Sequence, residues 1–200
     1  MTTFDPIAIK KGRTWRPDVF HVNVAGFDQI WKDYRHLTGP IRGRVGRWLF
    51  KREQRFLHLV GARGDAPFPM VSPQPLILAM TFIEGRELVQ GDDKALESLD
   101  TVVARLHRKG MAHNDLHRSN VRVVGERVVL LDFGAAVCLP KVLKPITLLL
   151  QRRDRHHVRK LQARFGSQPL NVPVNPWWVK ALQSAWNQLR RKPSAPQTAG

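Results

Sequence analysis

Apolar and polar residues alternate over "DVFHVNV" (18–24) and "QIWKDY" (29–34), the two-residue period of strands with one buried face. "AGFD" between them places Gly26 and Asp28 in a turn, so a β-hairpin is expected. The period then lengthens. In "GRWLFKREQRFLHLV" (46–60), Leu49, Phe56, Leu59 and Val60 recur as one face of a helix. Pro- and Gly-rich "GARGDAPFPMVSPQP" interrupts it, and "LILAMTFI" (76–83) reads as a buried strand ended by "EGREL". From Asp92, Leu96, Leu99, Val102, Val103 and Leu106 define a second helix, which Gly110 stops. "VRVV" and "RVVLL", joined at Gly125-Glu126, read as a short hairpin. Helices follow over "VLKPITLLLQRRDRHHVRKLQARF" and "NPWWVKALQSAWNQLRRK". In the latter Asn175 caps, Pro176 opens, and Val179, Leu182, Trp186 and Leu189 form a stripe.

Composition narrows the class. Two hundred residues suit one compact domain or two small lobes, and an apolar fraction of 42% excludes a chain too polar to build a core. The single cysteine, Cys138, rules out an intrachain disulfide. "MTTFDPIAIKKGR" lacks the apolar core of a signal peptide, and no apolar run approaches the ~20 residues of a membrane span, so a cytoplasmic protein is expected. The formal charge of +17 is unevenly spread: from Lys141 onward twelve Lys/Arg face one acid, Asp154, a net +11. Such a surface is either simply well solvated or drawn to an anionic partner: nucleic acid, inner-leaflet lipid or a phosphorylated glycolipid.

Against this background one polar group stands out. His113-x-Asp115-Leu116-x-x-x-Asn120 lies between the long helix and the short hairpin, and Asp132-Phe133-Gly134 ends that hairpin. This arrangement resembles the catalytic and metal-binding loops of the protein-kinase superfamily. The resemblance implies Mg-ATP-dependent phosphoryl transfer to a hydroxyl, where the protein positions the hydroxyl and neutralises charge. Asp115 would accept the hydroxyl proton, Asn120 and Asp132 would hold Mg²⁺ through oxygen, and His113 would brace the loop. A kinase also needs a strand lysine paired with a helix glutamate. Lys32 is the strand lysine. Glu53 falls within the apolar helix stripe, four after Leu49 and three before Phe56, where a carboxylate needs a cationic partner. Ile30, on the same strand face as Lys32, Met80 at the back of the pocket and Phe82 complete the expected ATP-contacting set, with Thr81 to Ile83 offering backbone groups to adenine. Asp154 would bond to the catalytic-loop backbone. His107, His113, His117, His156 and His157 match no zinc spacing.

The chain departs from ordinary protein kinases in several places. "KKGRTWRPDVF" has one glycine, Gly12, where a G-x-G-x-x-G loop would cover the phosphates, leaving Arg13, Thr14 or Arg16 for that contact. Asn114 replaces the catalytic-loop arginine, no A-P-E follows Gly134, and Arg122 stands where an apolar adenine floor is expected. With "KGRT" in place of the glycine loop, the chain looks like the compact RIO-like and lipopolysaccharide-kinase group, which includes Kdo and heptose kinases. The expected fold is α+β and two-lobed: an antiparallel-sheet N-lobe with one helix (1–83), a reduced, mostly helical C-lobe (84–192) and a disordered tail (193–200). The favoured acceptor is a sugar of the lipopolysaccharide core, met at the inner membrane face through "KVLKPITLLLQRR", with a protein Ser/Thr close behind and a site near RNA a further option. The alternatives are a nucleotide-binding pseudokinase and a basic nucleic-acid-associated protein.

Overall fold

The computed structural model describes residues 6–12, 15–72 and 74–167, with Lys141 by backbone alone. Strands β1 (Ile7–Lys10), β2 (Asp18–Val24), β3 (Phe27–Asp33) and β4 (Ile77–Thr81) form one antiparallel sheet in the order β1-β2-β3-β4. The β2–β3 hairpin turns at Ala25 and Gly26, both at positive φ, as a two-residue hairpin turn requires. Opposed residues share a face, so Val19, Lys32 and Leu78 form one row and His21, Ile30 and Met80 the next on the same side.

Helix α1 (Arg42–Gly61) crosses between β3 and β4. It begins four residues before the glycine at which the sequence pattern starts, because Gly43 and Gly46 are there for packing. A Cβ at Gly46 would stand 2.9 Å from the Leu37 side chain. Phe56, Leu57 and Val60 are buried on its inner face, as expected of the stripe, but Leu59 is 42% exposed. At about 100° per residue, Leu59 lies roughly 130° round from the centre of the buried face formed by Glu53, Phe56, Leu57, Val60 and Gly61, so it points outward while Leu57 is in the core.

After β4 come α2 (Asp93–Arg108), a short β5 (Met111–Ala112), the hairpin β6 (Val121–Val124) and β7 (Arg127–Leu130), β8 (Val137–Cys138) and α3 (Lys144–Phe165). β5 pairs with β8, an antiparallel contact too short to read in the sequence. Leu96, Leu99, Val102, Val103 and Leu106 of α2 are all buried, in one cluster with Val121, Val123, Val128 and Leu130 of the hairpin and Val158 and Leu161 of α3. The start of α2 is tied to the end of α3: Gly91 N–H donates to Phe165 O at 2.7 Å and Ser167 N–H to Asp93 at 2.9 Å. Among the described residues no helix is long and apolar enough to cross a membrane. The expected helix at 175–192 and the tail at 193–200 lie outside the described residues.

Candidate functional site

Lys32 is where three elements meet. From β3 its ammonium reaches Glu53 Oε1 on α1 at 2.5 Å and Asp132 Oδ1, beyond β7, at 2.8 Å. Lys32 is 8% exposed and Glu53 1%, so the pairing is made with little water. Burial pulls the lysine pKa down, but the two carboxylates outweigh it and hold the ammonium above the ordinary lysine range. The Lys32 charge in turn holds the Asp132 carboxyl down, at about 2. Tyr34, just past the end of β3, donates its hydroxyl to Glu53 Oε2 at 2.6 Å, so both oxygens of the buried carboxylate are satisfied. Burial, then the Glu53 charge, pushes the Tyr34 hydroxyl pKa well up and keeps it a donor.

The loop after β5 is anchored from behind. Asp154 on α3 accepts the backbone N–H of His113 at 2.7 Å and of Asn114 at 2.8 Å, the bond expected of it, and His107 Nε2 lies 3.1 Å away. Asn114 sits at φ +63°, a conformation asparagine tolerates better than most residues. The His113 ring, fully buried, donates from Nε2 to Leu131 O at 3.0 Å, and burial lowers its pKa, so it is a neutral brace. Asp115, by contrast, presents a half-exposed carboxylate. Asn120 is 7% exposed and donates Nδ2 to Asp115 O at 2.9 Å and to His117 Nε2 at 3.0 Å, so its amide nitrogen, not its oxygen, is used to hold the loop.

Asp132 adopts the left-handed conformation, φ +57°, and accepts Gly134 N–H at 3.3 Å. That strained turn is held on both sides. Leu131 N–H donates to Asn120 O at 2.8 Å, and Phe133 packs between His113 (ring centroids 4.8 Å) and Phe56 of α1 (6.5 Å). Arg52 of α1, stacked over Trp48 at 4.4 Å, donates to Gly134 O. A carboxylate and an amide oxygen on adjoining loops suit Mg²⁺, which takes one or two protein oxygens and completes its shell with phosphate and water. Among the described residues no cluster of three or more His, Cys, Asp or Glu could hold a metal.

The adenine end differs from the sequence expectation. Ile30 and Met80 lie side by side on the Lys32 face, but Met80 is 4% exposed and belongs to the core, and Phe82, 42% exposed, packs on the His21 ring at 4.9 Å. Two of the three N–H groups of Thr81 to Ile83 are already engaged, Thr81 with Phe68 O and Phe82 with Asp28 O, because the β3–β4 ladder runs one residue further and residues 68–70 pair on the other edge. Ile83 N–H keeps no backbone partner among the described residues. Arg122 turns toward the segment after β4, with Nη1 3.7 Å from Glu87, while Val121 and Val123 fill the core. Gly12 N–H donates to Asp18 at 2.5 Å, and its α-carbon lies so close to the Arg16 and Pro17 backbone that no side chain would fit. Its N–H is therefore not free for phosphate. Arg13 and Thr14 lie outside the described residues.

Tyr34, Arg52 and Val19 escaped the sequence reading. Val19 was accessible: counting back through the two-residue turn sets it opposite Lys32. Tyr34 and Arg52 carry no such signal, since both act on groups distant in the chain.

No protein-family model matches the chain. It is 33% identical over 111 residues to a probable bifunctional tRNA threonylcarbamoyladenosine biosynthesis protein of Methanosarcina mazei, and 34% identical over 111 residues to that of Methanosarcina acetivorans. Each match takes in 54% of this chain, which spans only 20% of the length of those relatives. Among solved structures it is similar to the Rio2 kinase of Chaetomium thermophilum, with a TM-score of 0.63 at 14% identity over 88% of this chain and 62% of that one. The ADP/Mg²⁺–phosphoaspartate complex of the same kinase gives 0.60 at 16% identity, over 88% and 60%. The chain has an α+β, protein-kinase-like fold of the kind seen in Rio2.

Proposed function

We propose that this chain is a Mg-ATP-dependent phosphotransferase with an alcohol acceptor. The observation that carries the reading is Lys32, joined to Glu53 and to Asp132 from three separate elements. Lys32, fixed by Glu53, contacts the ATP phosphates. Asn120 Oδ1 and the Asp132 carboxylate would hold Mg²⁺, which would supply the positive charge that offsets the charge of the transferring phosphate. The acceptor oxygen forms a bond to the γ-phosphorus as the bond from that phosphorus to the β–γ bridging oxygen breaks, and ADP leaves. Asp115, half exposed at the loop surface, takes the hydroxyl proton. Residues 1–83 are the nucleotide-binding part in this reading, and residues 84–192 carry the loop and the acceptor side. The Rio2 complex with ADP and Mg²⁺ supports the choice of nucleotide and ion.

For the acceptor, the observation is at the start of α3. Val142, Leu143, Ile146 and Leu148 are exposed there, Lys144, Arg152 and Arg153 lie close in sequence, and no acid occurs between Asp132 and Asp154. Arg153 donates to Asn114 Oδ1 at 3.1 Å, which ties this patch to the residue before Asp115. An apolar, basic surface beside the loop fits a sugar hydroxyl of an anionic glycolipid, such as one of the lipopolysaccharide core, at a peripheral membrane site. The Methanosarcina relatives favour a second reading, phosphate chemistry in the service of tRNA modification, to which the +17 charge also conforms. The engaged Gly12 N–H favours a nucleotide-binding pseudokinase as a third.

Labelled ATP and Mg²⁺ offered with lipopolysaccharide core, a protein mixture, tRNA and buffer distinguishes these readings. Label on the core sugar supports the glycolipid acceptor. ATP turnover that requires tRNA moves the activity to the second reading, and nucleotide binding with no transfer or hydrolysis moves it to the third.

A further inference from the structure

On the side of α1 away from Glu53, a groove of about 670 Å³ runs between the helix and residues 69–72 and 74–76. Its two walls differ in chemistry. The helix wall carries Arg47, Lys51 and His58 beside Phe50, and the facing wall carries Met70, Val71 and Leu76 beside the polar Ser72 and Gln74. Val71 is 97% exposed, an unusual position for a β-branched apolar residue. No carboxylate among the described residues lines the groove, and neither Arg47 nor Lys51 has a carboxylate partner there. One end of the apolar wall is extended backbone: Met70 N–H donates to Ala79 O and Thr81 N–H to Phe68 O, so residues 68–70 lie along the outer edge of β4, while Leu76 closes the other end from a turn at φ +62°.

We infer that this groove is a docking site for an acidic, apolar segment of another protein, lying extended with carboxylates toward Arg47 and Lys51 and aliphatic or aromatic side chains against Met70, Val71 and Leu76. Alternation of side chains along an extended segment delivers that division without a special fold. Residues 168–200 contain no Asp or Glu, so that stretch does not have the chemistry of the segment. A second copy is disfavoured by a charge of +17 on each molecule. RNA would satisfy the cations but leave the aliphatic wall uncovered, and stacking surfaces rather than Met, Val and Leu are what single strands use. The occupant also sits on the helix that holds Glu53 and Arg52, so its binding bears on α1.

A random-peptide phage selection on the full chain, washed at physiological salt, tests this. The enriched consensus is then made as a fluorescein-labelled peptide and titrated by anisotropy without nucleotide, so the outcome is independent of phosphate transfer. The expected consensus interleaves Asp/Glu with apolar residues. Its affinity falls at least roughly tenfold in Arg47→Glu/Lys51→Glu and again in Val71→Asp. All three positions are exposed, so the variants keep the wild-type circular dichroism and thermal midpoint. Peptide binding also slows hydrogen exchange across residues 42–61. The inference is overturned if no acidic–apolar consensus emerges or if the peptide binds both variants as tightly as wild type. Indifference to Val71→Asp alone overturns it too, since that reduces the surface to unspecific charge. A short single-stranded RNA that binds at the same salt and is lost in both variants gives the groove to nucleic acid instead.

Discussion

Asp154 and His113 lie 41 residues apart in the chain and meet through a 2.7 Å hydrogen bond from the His113 backbone N–H to the Asp154 carboxylate. With the second bond to Asn114 N–H, a helix set well after the loop of residues 113–120 fixes the backbone just ahead of Asp115. Asp154 is fully buried. Truncating it strands two backbone donors away from water, so Asp154→Ala should cost about 2–4 kcal/mol, and Asp154→Asn, which keeps one acceptor, about half as much. Urea unfolding midpoints measure both. A loss under about 0.5 kcal/mol for the alanine variant would show that water replaces the carboxylate.

Tyr34→Phe removes one donor from the buried Glu53 carboxylate and leaves the pair with Lys32 in place. A stability loss of about 1–2 kcal/mol is expected. Mg-ATP should bind several-fold more weakly, because Glu53 then has one fewer constraint on its rotamer. Isothermal titration at fixed Mg²⁺ reads this, and unchanged affinity would separate Tyr34 from the nucleotide site.

The pH dependence has a definite sign. Lys32 depresses the Asp132 pKa to about 2, below its unfolded value of 3.8. The stabilisation is therefore fully present above about pH 4 and is lost as pH falls from there through pH 2. Asp132→Asn cannot titrate, so the stability gap between it and wild type should be constant above pH 4 and narrow below. Lys32 acts in the opposite direction: its raised pKa contributes stability at neutral pH that fades only as pH climbs beyond the lysine range. Denaturant midpoints for both proteins between pH 2 and 6 check the acid limb, and a gap independent of pH would mean that Lys32 and Asp132 do not interact in solution.

If the residues at and just before the start of α3 face a membrane as proposed, charging them should weaken binding to anionic vesicles without unfolding the chain. Val142 and Ile146 are 83% and 47% exposed, so Val142→Asp/Ile146→Asp should change stability by no more than about 0.5 kcal/mol. Partition onto anionic vesicles should fall roughly tenfold, since each buried methylene contributes about 0.8 kcal/mol to surface binding. Sedimentation with phosphatidylglycerol vesicles across a salt series measures it, and equal partition would take the membrane out of the acceptor argument.

Much of this architecture was legible because it is local. Alternation marked β2, β3 and β4, a helical stripe marked α2 with each of its five leucine and valine positions buried, and the loop spacing from His113 to Asn120 needed no tertiary information. Glu53 was legible for an energetic reason, as a carboxylate inside an apolar stripe. What failed depends on what lies opposite. The start of α1 at Arg42 rather than at Gly46 becomes intelligible only once Leu37 is seen packed against Gly46. Leu59 looks like core until the angle of α1 is fixed by Phe56 and Leu57. The N–H groups of Thr81 and Phe82 look available until Phe68 and Asp28 are found to accept from them. Tyr34, a lone tyrosine after a strand, gives no hint that it completes the coordination of a glutamate 19 positions away.

The measurement that bears most directly on the central claim is steady-state phosphate transfer from labelled ATP by wild type and Asp115→Asn, with ATP affinity measured alongside. Asp115 is half exposed and holds no buried network, so the substitution leaves the fold and the Lys32–Glu53–Asp132 set intact. Turnover reduced by roughly 10²–10⁴-fold, with ATP affinity within about twofold of wild type, is the expected result. Turnover equal in the two proteins would contradict the assignment of Asp115 as the proton acceptor, and with it the phosphotransfer mechanism built on this loop.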